Sequence, residues 1–464
     1  MKATETLSTP PSSASEDAAT TPPGPQVVGQ KRTSRSRHAD FRRLLTERGF
    51  RRLLATRFAA QWGDGLFQAG LGGAVLFNPE READPAVVAA GLAVLLLPYS
   101  VIGPFAGALL DRWDRRRVLV VANLLRGLLV LATAAAVGAG VTGPLLYGGA
   151  LLVTGVSRFV GAGLSASLPH VVDREHLVEA NALATTLGAV VAASGGASAI
   201  ALRAVFGADD NGSALVTGTA LLGSLLAALI AARFAHGQLG PDEFDEPAET
   251  VVAVARGLLD GARAALAAPA VAAGFVGLIA HRLAFGASTL VGLLLMRYAF
   301  TDIGPFRAGM AGVGEAVAAG AAGILAAALI APGLVARFGR RRVVAGSLLS
   351  AAAVQLLLGT PLVLPALLVA TFGVACAGQV VKLCVDAAVQ SDVGDEVRGR
   401  VFALYDTLFN VVYVLAVAGA AALVPPDGRS RGLIVAAGVV YLLGAVGYLL
   451  VTGAATRRRT TRDA

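Results

Sequence analysis

Six charged side chains stand apart inside long apolar segments of this chain, where a charge is costly unless it is paired, neutralised or in contact with water. A carboxyl group in such a place can alternate between a protonated and a charged state as its surroundings change. Asp64 and Glu315 are therefore candidate proton carriers, and Arg126 and Arg158 are the cations that we expect at the depth of Asp64. The set, completed by Arg282 and Asp406, predicts proton transfer coupled to the making and breaking of ion pairs.

The segments that hold these residues have the length and composition of membrane helices. The chain of 464 residues is 55% hydrophobic and 15% charged, with a mean hydropathy of +0.67. Its apolar stretches of about 20 residues are long enough for a helix to cross the hydrocarbon layer, and they lack the alternation of barrel strands. The sequence predicts twelve spans, at residues 54–77, 86–110, 118–139, 144–168, 180–205, 213–234, 270–298, 308–332, 343–359, 362–388, 401–424 and 432–454.

A basic heptapeptide occurs twice, at matching places in the two halves of the chain. Residues 111–117 read Asp-Arg-Trp-Asp-Arg-Arg-Arg, and residues 336–342, 225 positions later, read Ala-Arg-Phe-Gly-Arg-Arg-Arg. Each copy separates the second and third predicted spans of its half, as in an internally repeated membrane protein. We therefore expect an all-α membrane protein whose twelve transmembrane helices form two pseudo-repeated six-helix bundles.

The distribution of Lys and Arg predicts the orientation of the chain. With both termini in the cytoplasm, 29 of the 39 basic residues fall in cytoplasmic segments and four in the opposite loops, as the positive-inside rule requires. We expect a multi-pass protein of the cell membrane. It divides into a disordered basic cytoplasmic tail (1–50), an N-terminal six-helix bundle (51–235), a cytoplasmic linker with an amphipathic helix (236–268), a C-terminal six-helix bundle (269–455) and a basic cytoplasmic tail (456–464).

Composition and motifs argue against several classes of function. The net charge is +8, but the basic residues lie in short clusters without interleaved aromatic residues, which does not favour nucleic-acid binding. Cys376 and Cys384 fall in one predicted helix, and no cluster has the spacing of a metal site. The chain has no Gly-x-x-x-x-Gly-Lys-Ser/Thr loop and no catalytic constellation. We therefore expect no enzyme activity, no cofactor and no metal.

Five short motifs occur in a characteristic order along the chain. They are Gly107-Ala-Leu-Leu-Asp111-Arg112, which leads into the first basic cluster, Gly63-Asp64-Gly65-Leu66-Phe67 in span 1, Asn123-Leu-Leu-Arg126 in span 3, Pro169-His-Val-Val-Asp-Arg174-Glu175 after span 4, and Asp395-Glu-Val-Arg398-Gly399-Arg400 before span 11. Over nearly all of its length the chain thus resembles the major facilitator superfamily, and within it the exporters of drugs and siderophores.

The resemblance implies a conformational latch made of Gly107, Asp111, Arg112 and Arg115 with Asp406 of span 11. A helix N-terminus carries partial positive charge, so a carboxylate can dock there, and the arginines can pair with acids of the opposing half. In this resemblance Asp111 holds the start of span 11 while the pore faces outward. The simpler alternative is that these residues only set the topology. The resemblance also implies a role in proton coupling for the arginine of span 4.

The expected function is secondary active export of an amphipathic small molecule, of the drug, natural-product or siderophore type, by proton antiport with alternating access. Trp62, Phe67, Phe285 and Arg282 are candidate substrate-cavity residues, because a partly apolar cavity with some aromatic side chains suits such a compound. The expected partners are the substrate, protons and the bilayer, and the protein is expected to be a monomer. Two alternatives remain open: an importer or uniporter on the same fold, favoured if the central charges pair permanently, and a membrane scaffold or sensor without transport.

Overall fold

The computed structural model describes residues 47–77, 84–94, 113–173, 176–240 and 250–460. Within these ranges the chain is mostly helical, because a helix satisfies its own backbone hydrogen bonds in lipid. The first half contains α1 (Arg48–Leu76), α2 (Pro85–Val94), α3 (Arg115–Gly138), α4 (Pro144–Ala166), α5 (Leu177–Phe206) and α6 (Asp210–Ala231). The helix α7 (Thr250–Ala267) precedes α8 (Pro269–Tyr298), α9 (Gly309–Phe338), α10 (Arg340–Gly359), α11 (Leu364–Asp392), α12 (Asp395–Ala421) and α13 (Arg431–Thr460).

The observed helices follow the predicted spans closely. Ten helices in the described ranges are long and apolar enough to cross a membrane. α1 has 29 residues but is not among the ten, since polar residues recur along it. The largest differences in the start of a helix are at α1 (48 instead of 54) and α12 (395 instead of 401), where polar residues extend the helix beyond its apolar part. The second predicted span is described only as far as residue 94.

The two halves repeat the same pattern of helix packing. In the first half α1 packs against α5 and α6, and α3 packs against α4 and α6. In the second half α8 packs against α12 and α13, and α10 packs against α11 and α13. Among the helices described in both halves, each helix of the second half therefore takes the place of the helix six spans earlier. The internal repeat predicted from the basic heptapeptide is present in the fold.

The contacts between the two halves that involve described residues lie at one end of the bundle, remote from the start of α1. Val88 of α2 packs with Leu290 and Leu294 of α8 in one hydrophobic cluster. At the same end, Gly73 of α1 lies against the side chain of Met310 in α9. The large clusters at the other end each contain residues of one half only. The described parts of the two halves thus touch at the end of the bundle where α1 finishes.

The two copies of the basic heptapeptide differ in structure. The second copy is not the loop that its sequence predicts, because α9 continues to Phe338 and α10 starts at Arg340. Gly339 alone separates them and has a φ of +77°, a conformation that glycine adopts without strain. In the first copy Asp114 caps α3 by accepting a hydrogen bond from the backbone N–H of Arg116 at 3.2 Å. Gly107, Asp111 and Arg112 lie outside the described residues.

Candidate functional site

A stripe of polar side chains runs along α1 and faces a cavity in the first half of the molecule. Arg57, Gln61, Asp64 and Gln68 are spaced by four, three and four residues, which places them on one face of the helix. All four line a cavity of about 420 Å³. The opposite wall belongs to α4, which contributes Ser157, Arg158 and Ser165.

Asp64 forms the central ion pair of this cavity. Arg126 of α3 donates from Nη1 to Asp64 Oδ1 at 3.0 Å, and the hydroxyl of Ser157 donates to the same oxygen at 2.6 Å. The Asp64 side chain is 21% exposed, whereas that of Arg126 is 2% exposed. Of the two cations expected near Asp64, Arg126 forms this ion pair, and Arg158 lines the same cavity. The carboxylate can be reached from the cavity and its guanidinium partner cannot.

The buried guanidinium of Arg126 is held by α1 and α6. Its Nε donates to Ser224 Oγ at 2.9 Å, and Nη1 lies 3.4 Å from the carbonyl oxygen of Ala60. Its Nη2 is buried without a hydrogen-bond partner among the described residues. The two helices come close because Gly223 of α6 lies directly against Gly63 of α1. This glycine contact brings the groups that bind Arg126 within reach of α3.

Two further arginines line the same cavity. Arg158 lies next to Ser157 on α4, and Arg57 donates from Nη2 to Ser165 Oγ at 2.9 Å. Because Arg126 already pairs with Asp64, these two side chains give the lining an excess of positive charge. The cavity can therefore bind polar or charged groups, in contrast to the aromatic lining expected from the sequence.

The aromatic residues predicted to line the substrate cavity do not line this one. Trp62 donates from Nε1 to Ser198 Oγ of α5 at 3.2 Å. Phe67 is buried in a hydrophobic cluster within the first half. Phe285 belongs to the second half, where it packs beside Tyr413. None of the three lines the cavity described above. Phe67 lies on α1 as predicted, but its ring packs in the hydrophobic cluster and does not face the cavity.

Arg282 of α8 is buried among aromatic rings. Its guanidinium carbon lies 3.5 Å from the centre of the Phe409 ring and 4.7 Å from that of Tyr413. Its Nε donates to the carbonyl oxygen of Phe409 at 2.9 Å. No carboxylate of the described residues forms an ion pair with it, and its exposed fraction is only 8%. Arg282 therefore belongs to an aromatic cluster of the second half, with Phe285 also nearby.

The other candidate proton and latch residues are dispersed. Glu315 lies in the second turn of α9, where its carboxylate accepts from the backbone N–H of Arg307 at 3.1 Å. Asp406 is exposed on α12. Lys382 and Asp386, four residues apart on α11, form an ion pair at 2.8 Å. The structure thus separates Glu315 and Asp406 from the Asp64 site.

Arg115 makes contacts inside its own half. It is buried, and its Nη1 donates to the carbonyl oxygen of Ala166 at 2.9 Å. The carbonyl oxygen of Leu239 lies 3.4 Å from the same nitrogen. In this conformation Arg115 holds together the ends of α3 and α4 and the chain that follows α6.

Sequence reasoning missed Arg57, Gln61, Gln68 and Ser157 as cavity residues. The signal was present, because the four polar positions of α1 follow the period of a helix within an otherwise apolar segment. Ser157 differs, since a single serine beside an arginine carries no periodic signal. Among the described residues, no group of three or more His, Cys, Asp and Glu side chains could hold a metal ion.

Comparison with known proteins identifies the family. No protein-family profile matches the chain. It is 44% identical over 409 residues to the uncharacterized MFS-type transporters Rv0037c of Mycobacterium tuberculosis and Mb0038c of Mycobacterium bovis, and the match covers 87% of this chain and 91% of each relative.

Solved structures show the same fold at low sequence identity. A bacterial homologue of the iron transporter ferroportin in an inward-facing state has a TM-score of 0.61 and 16% identity, and covers 87% of this chain. The nucleoside transporter NupG has a TM-score of 0.60 and 13% identity, and covers 88%. The match includes 98% of each of those chains, and at this identity it concerns the fold alone. The predicted fold class is confirmed, and the chain belongs to the major facilitator superfamily, as a multi-pass secondary transporter of a small molecule and not an enzyme.

Proposed function

We propose that this transporter exports an amphipathic small molecule, of the drug, natural-product or siderophore type, by proton antiport with alternating access. The observation that carries the proposal is the Asp64–Arg126 ion pair, whose carboxylate faces the cavity while its guanidinium is buried. A proton that enters the cavity reaches Asp64 and leaves Arg126 charged. We assign the end of the bundle where α1 starts, both termini and the linker to the cytoplasm of the cell. We also propose that a single chain is the transport unit.

Protonation of Asp64 changes both the charge and the hydrogen bonds of the site. The charged carboxylate only accepts, from Arg126 and Ser157, whereas the protonated form carries one donor of its own. The polar end of the substrate lies along Gln61 and Gln68, next to this group. The gain and loss of this proton in each transport cycle then couple the movement of protons to that of the substrate. One proton supplies about 2.3 kcal/mol per 100 mV of membrane potential.

The direction of transport can be tested in a drug-hypersusceptible bacterium. Cells that express the protein should accumulate less of at least one dye from a panel that includes ethidium and fluorescein, and a protonophore should abolish the difference. Export that survives collapse of the proton gradient contradicts antiport. Higher accumulation of a dye in expressing cells identifies an importer.

The role of Asp64 is then tested in proteoliposomes with the dye that the cell assay selects. Asp64→Asn should abolish uphill transport and preserve counterflow, because the amide resembles the protonated carboxyl and cannot lose a proton. The matched control is Asp427→Asn, which removes an exposed loop carboxylate and should leave both activities intact. If Asp64→Asn still concentrates the dye uphill, the coupling group lies elsewhere.

A further inference from the structure

A second cavity, of about 700 Å³, lies in the second half at the end of the bundle where α13 finishes. Its polar lining consists of Arg340 and Arg341 at the start of α10, Asp392 at the end of α11, and Tyr448 and Thr452 of α13. Its apolar wall comes from the end of α7 and the start of α12. We propose that this cavity binds the phosphodiester headgroup of an anionic membrane phospholipid.

The internal repeat shows what occupies the equivalent place in the first half. Arg340 and Arg341 take the positions of Arg115 and Arg116 in the repeated heptapeptide. Arg116 donates to the carbonyl oxygen of Ala232, directly after α6, at 2.9 Å, and Arg341 lies 3.4 Å from that of Leu449 within α13. In each half the second arginine thus contacts a backbone carbonyl oxygen of the last helix or of the residue that follows it.

The first arginine of each pair is covered differently. Arg115 is buried under the chain that follows α6, where Leu239 is fully buried and supplies a carbonyl oxygen. Gly240 packs so closely there that a Cβ atom would collide with the ring of His170. Arg340 pairs with Asp392 at 3.0 Å, but one third of its side chain stays exposed and the cavity takes the place of the covering chain. Phosphate oxygens would provide the acceptors that carbonyl groups provide in the first half.

Position and charge select a lipid headgroup as the occupant. Two arginines and one aspartate line the cavity, which leaves a net positive charge. The apolar part of α10 begins directly after these arginines, so the cavity lies at the depth of headgroups. Leu450 of α13 is widely exposed beside it, as expected for a helix that faces lipid.

The test measures phospholipid retention by native mass spectrometry of the full-length protein, loaded from vesicles of phosphatidylglycerol or of phosphatidylcholine. The parent should retain one phosphatidylglycerol more strongly than phosphatidylcholine. Arg341→Gln should weaken this retention about five-fold, the effect of one charge near the surface. Ala267→Trp fills the cavity from α7 and keeps both arginines, so it should also remove the lipid. Arg342→Gln is the matched control, since Arg342 is exposed and does not line the cavity.

Three results would overturn the lipid site. The first is equal retention of phosphatidylglycerol by the parent, Arg341→Gln and Ala267→Trp. The second is displacement of phosphatidylglycerol by inorganic phosphate alone, because the cavity then recognises a free anion. The third is equal retention of both lipids by the parent, because the headgroup charge then does not select the occupant. None of these results depends on Asp64, so they test the lipid site independently of the proposed proton antiport.

Discussion

Two buried arginines, one in each half of the transporter, are stabilised in different ways. Arg126 pairs with a carboxylate that faces a cavity. Arg282 stacks on the rings of Phe409 and Tyr413 and donates to a carbonyl oxygen. Both solutions offset the cost of removing a guanidinium from water, one by charge pairing and one by the negative faces of aromatic rings.

We propose that this difference confines proton sensitivity to one half. The partner of Arg126 can gain a proton, so its ion pair can be broken by a change in pH. Aromatic rings and a carbonyl oxygen offer Arg282 no such change. The repeat therefore conserves the arrangement of helices while only the first half carries a protonatable partner for its central arginine.

The largest effect should follow removal of the Asp64 charge. Asp64→Leu leaves Arg126 charged and buried, which should lower the free energy of unfolding by about 3–5 kcal/mol. Replacing both residues, as Asp64→Leu with Arg126→Met, should restore most of this loss because no unpaired charge remains. Denaturant titration in detergent micelles measures both. A double variant as unstable as Asp64→Leu alone would show that the pair contributes through packing instead of charge.

A smaller effect should come from separating α1 and α6, the helices that hold Arg126. A Cβ atom on Gly223 would lie 2.7 Å from the carbonyl oxygen of Ala59 and 2.7 Å from the Cα of Gly63. Gly223→Ala should therefore cost about 1–3 kcal/mol of stability. Gly72→Ala is the control, since a Cβ atom there meets nothing within 4 Å. Equal stability of the two variants would mean that the close approach of the helices is not required.

In the second half, Phe409→Leu should weaken the aromatic site of Arg282. Loss of the closest ring should lower the free energy of unfolding by about 1–2 kcal/mol, the range of a desolvated cation–π contact. The pH profile of dye transport should keep its shape, because no titrating partner of Arg282 is changed. The measurement is transport rate against pH in proteoliposomes, beside the parent. A profile shifted along the pH axis would break the assignment of proton sensitivity to the first half.

The smallest effect concerns a carboxylate of the second half outside the membrane helices. The backbone N–H of Ala308 and the guanidinium of Arg307 both donate to Asp302 at 2.9 Å and lower the pKa of that carboxyl from its ordinary value of 3.8. Its stabilisation of the loop is therefore complete above that value and is lost as the pH falls below it. The protection of the Ala308 amide, measured as its hydrogen-exchange rate relative to an unstructured peptide at the same pH, should fall in this acid range, and Asp302→Asn should show no such step. A step that persists in the variant would point to another group.

Much of this fold could be predicted from the sequence, because the length of an apolar segment reports a physical requirement of the bilayer. The starts of α4 and α8 follow this pattern to within one residue. The direct connection of α9 to α10 at Gly339 could not be predicted in this way, because a glycine that joins two helices and a glycine in a short loop look the same in the sequence. The backbone conformation of Gly339 is what makes the direct connection possible.

The candidate site was only partly predictable. Asp64 stands out because a lone carboxylate in an apolar segment requires a partner, and depth alone narrowed the partner to Arg126 or Arg158. The ion pair with Arg126 depends on the packing of Gly63 against Gly223, a contact between helices that are distant in sequence. Phe67 was misplaced for the same reason, because rotation of α1 decides whether a ring meets the cavity or the interior.

The one-residue joint at Gly339 determines how force passes through the second half. α9 touches the other half where Gly314 lies against Ile200, and α10 packs into its own half against α11 and α13. Consecutive Cα atoms are only about 3.8 Å apart, so a single residue gives the two helices no slack along their length. A displacement of α9 at its contact with α5 is therefore transmitted to α10, and through α10 to α11 and α13.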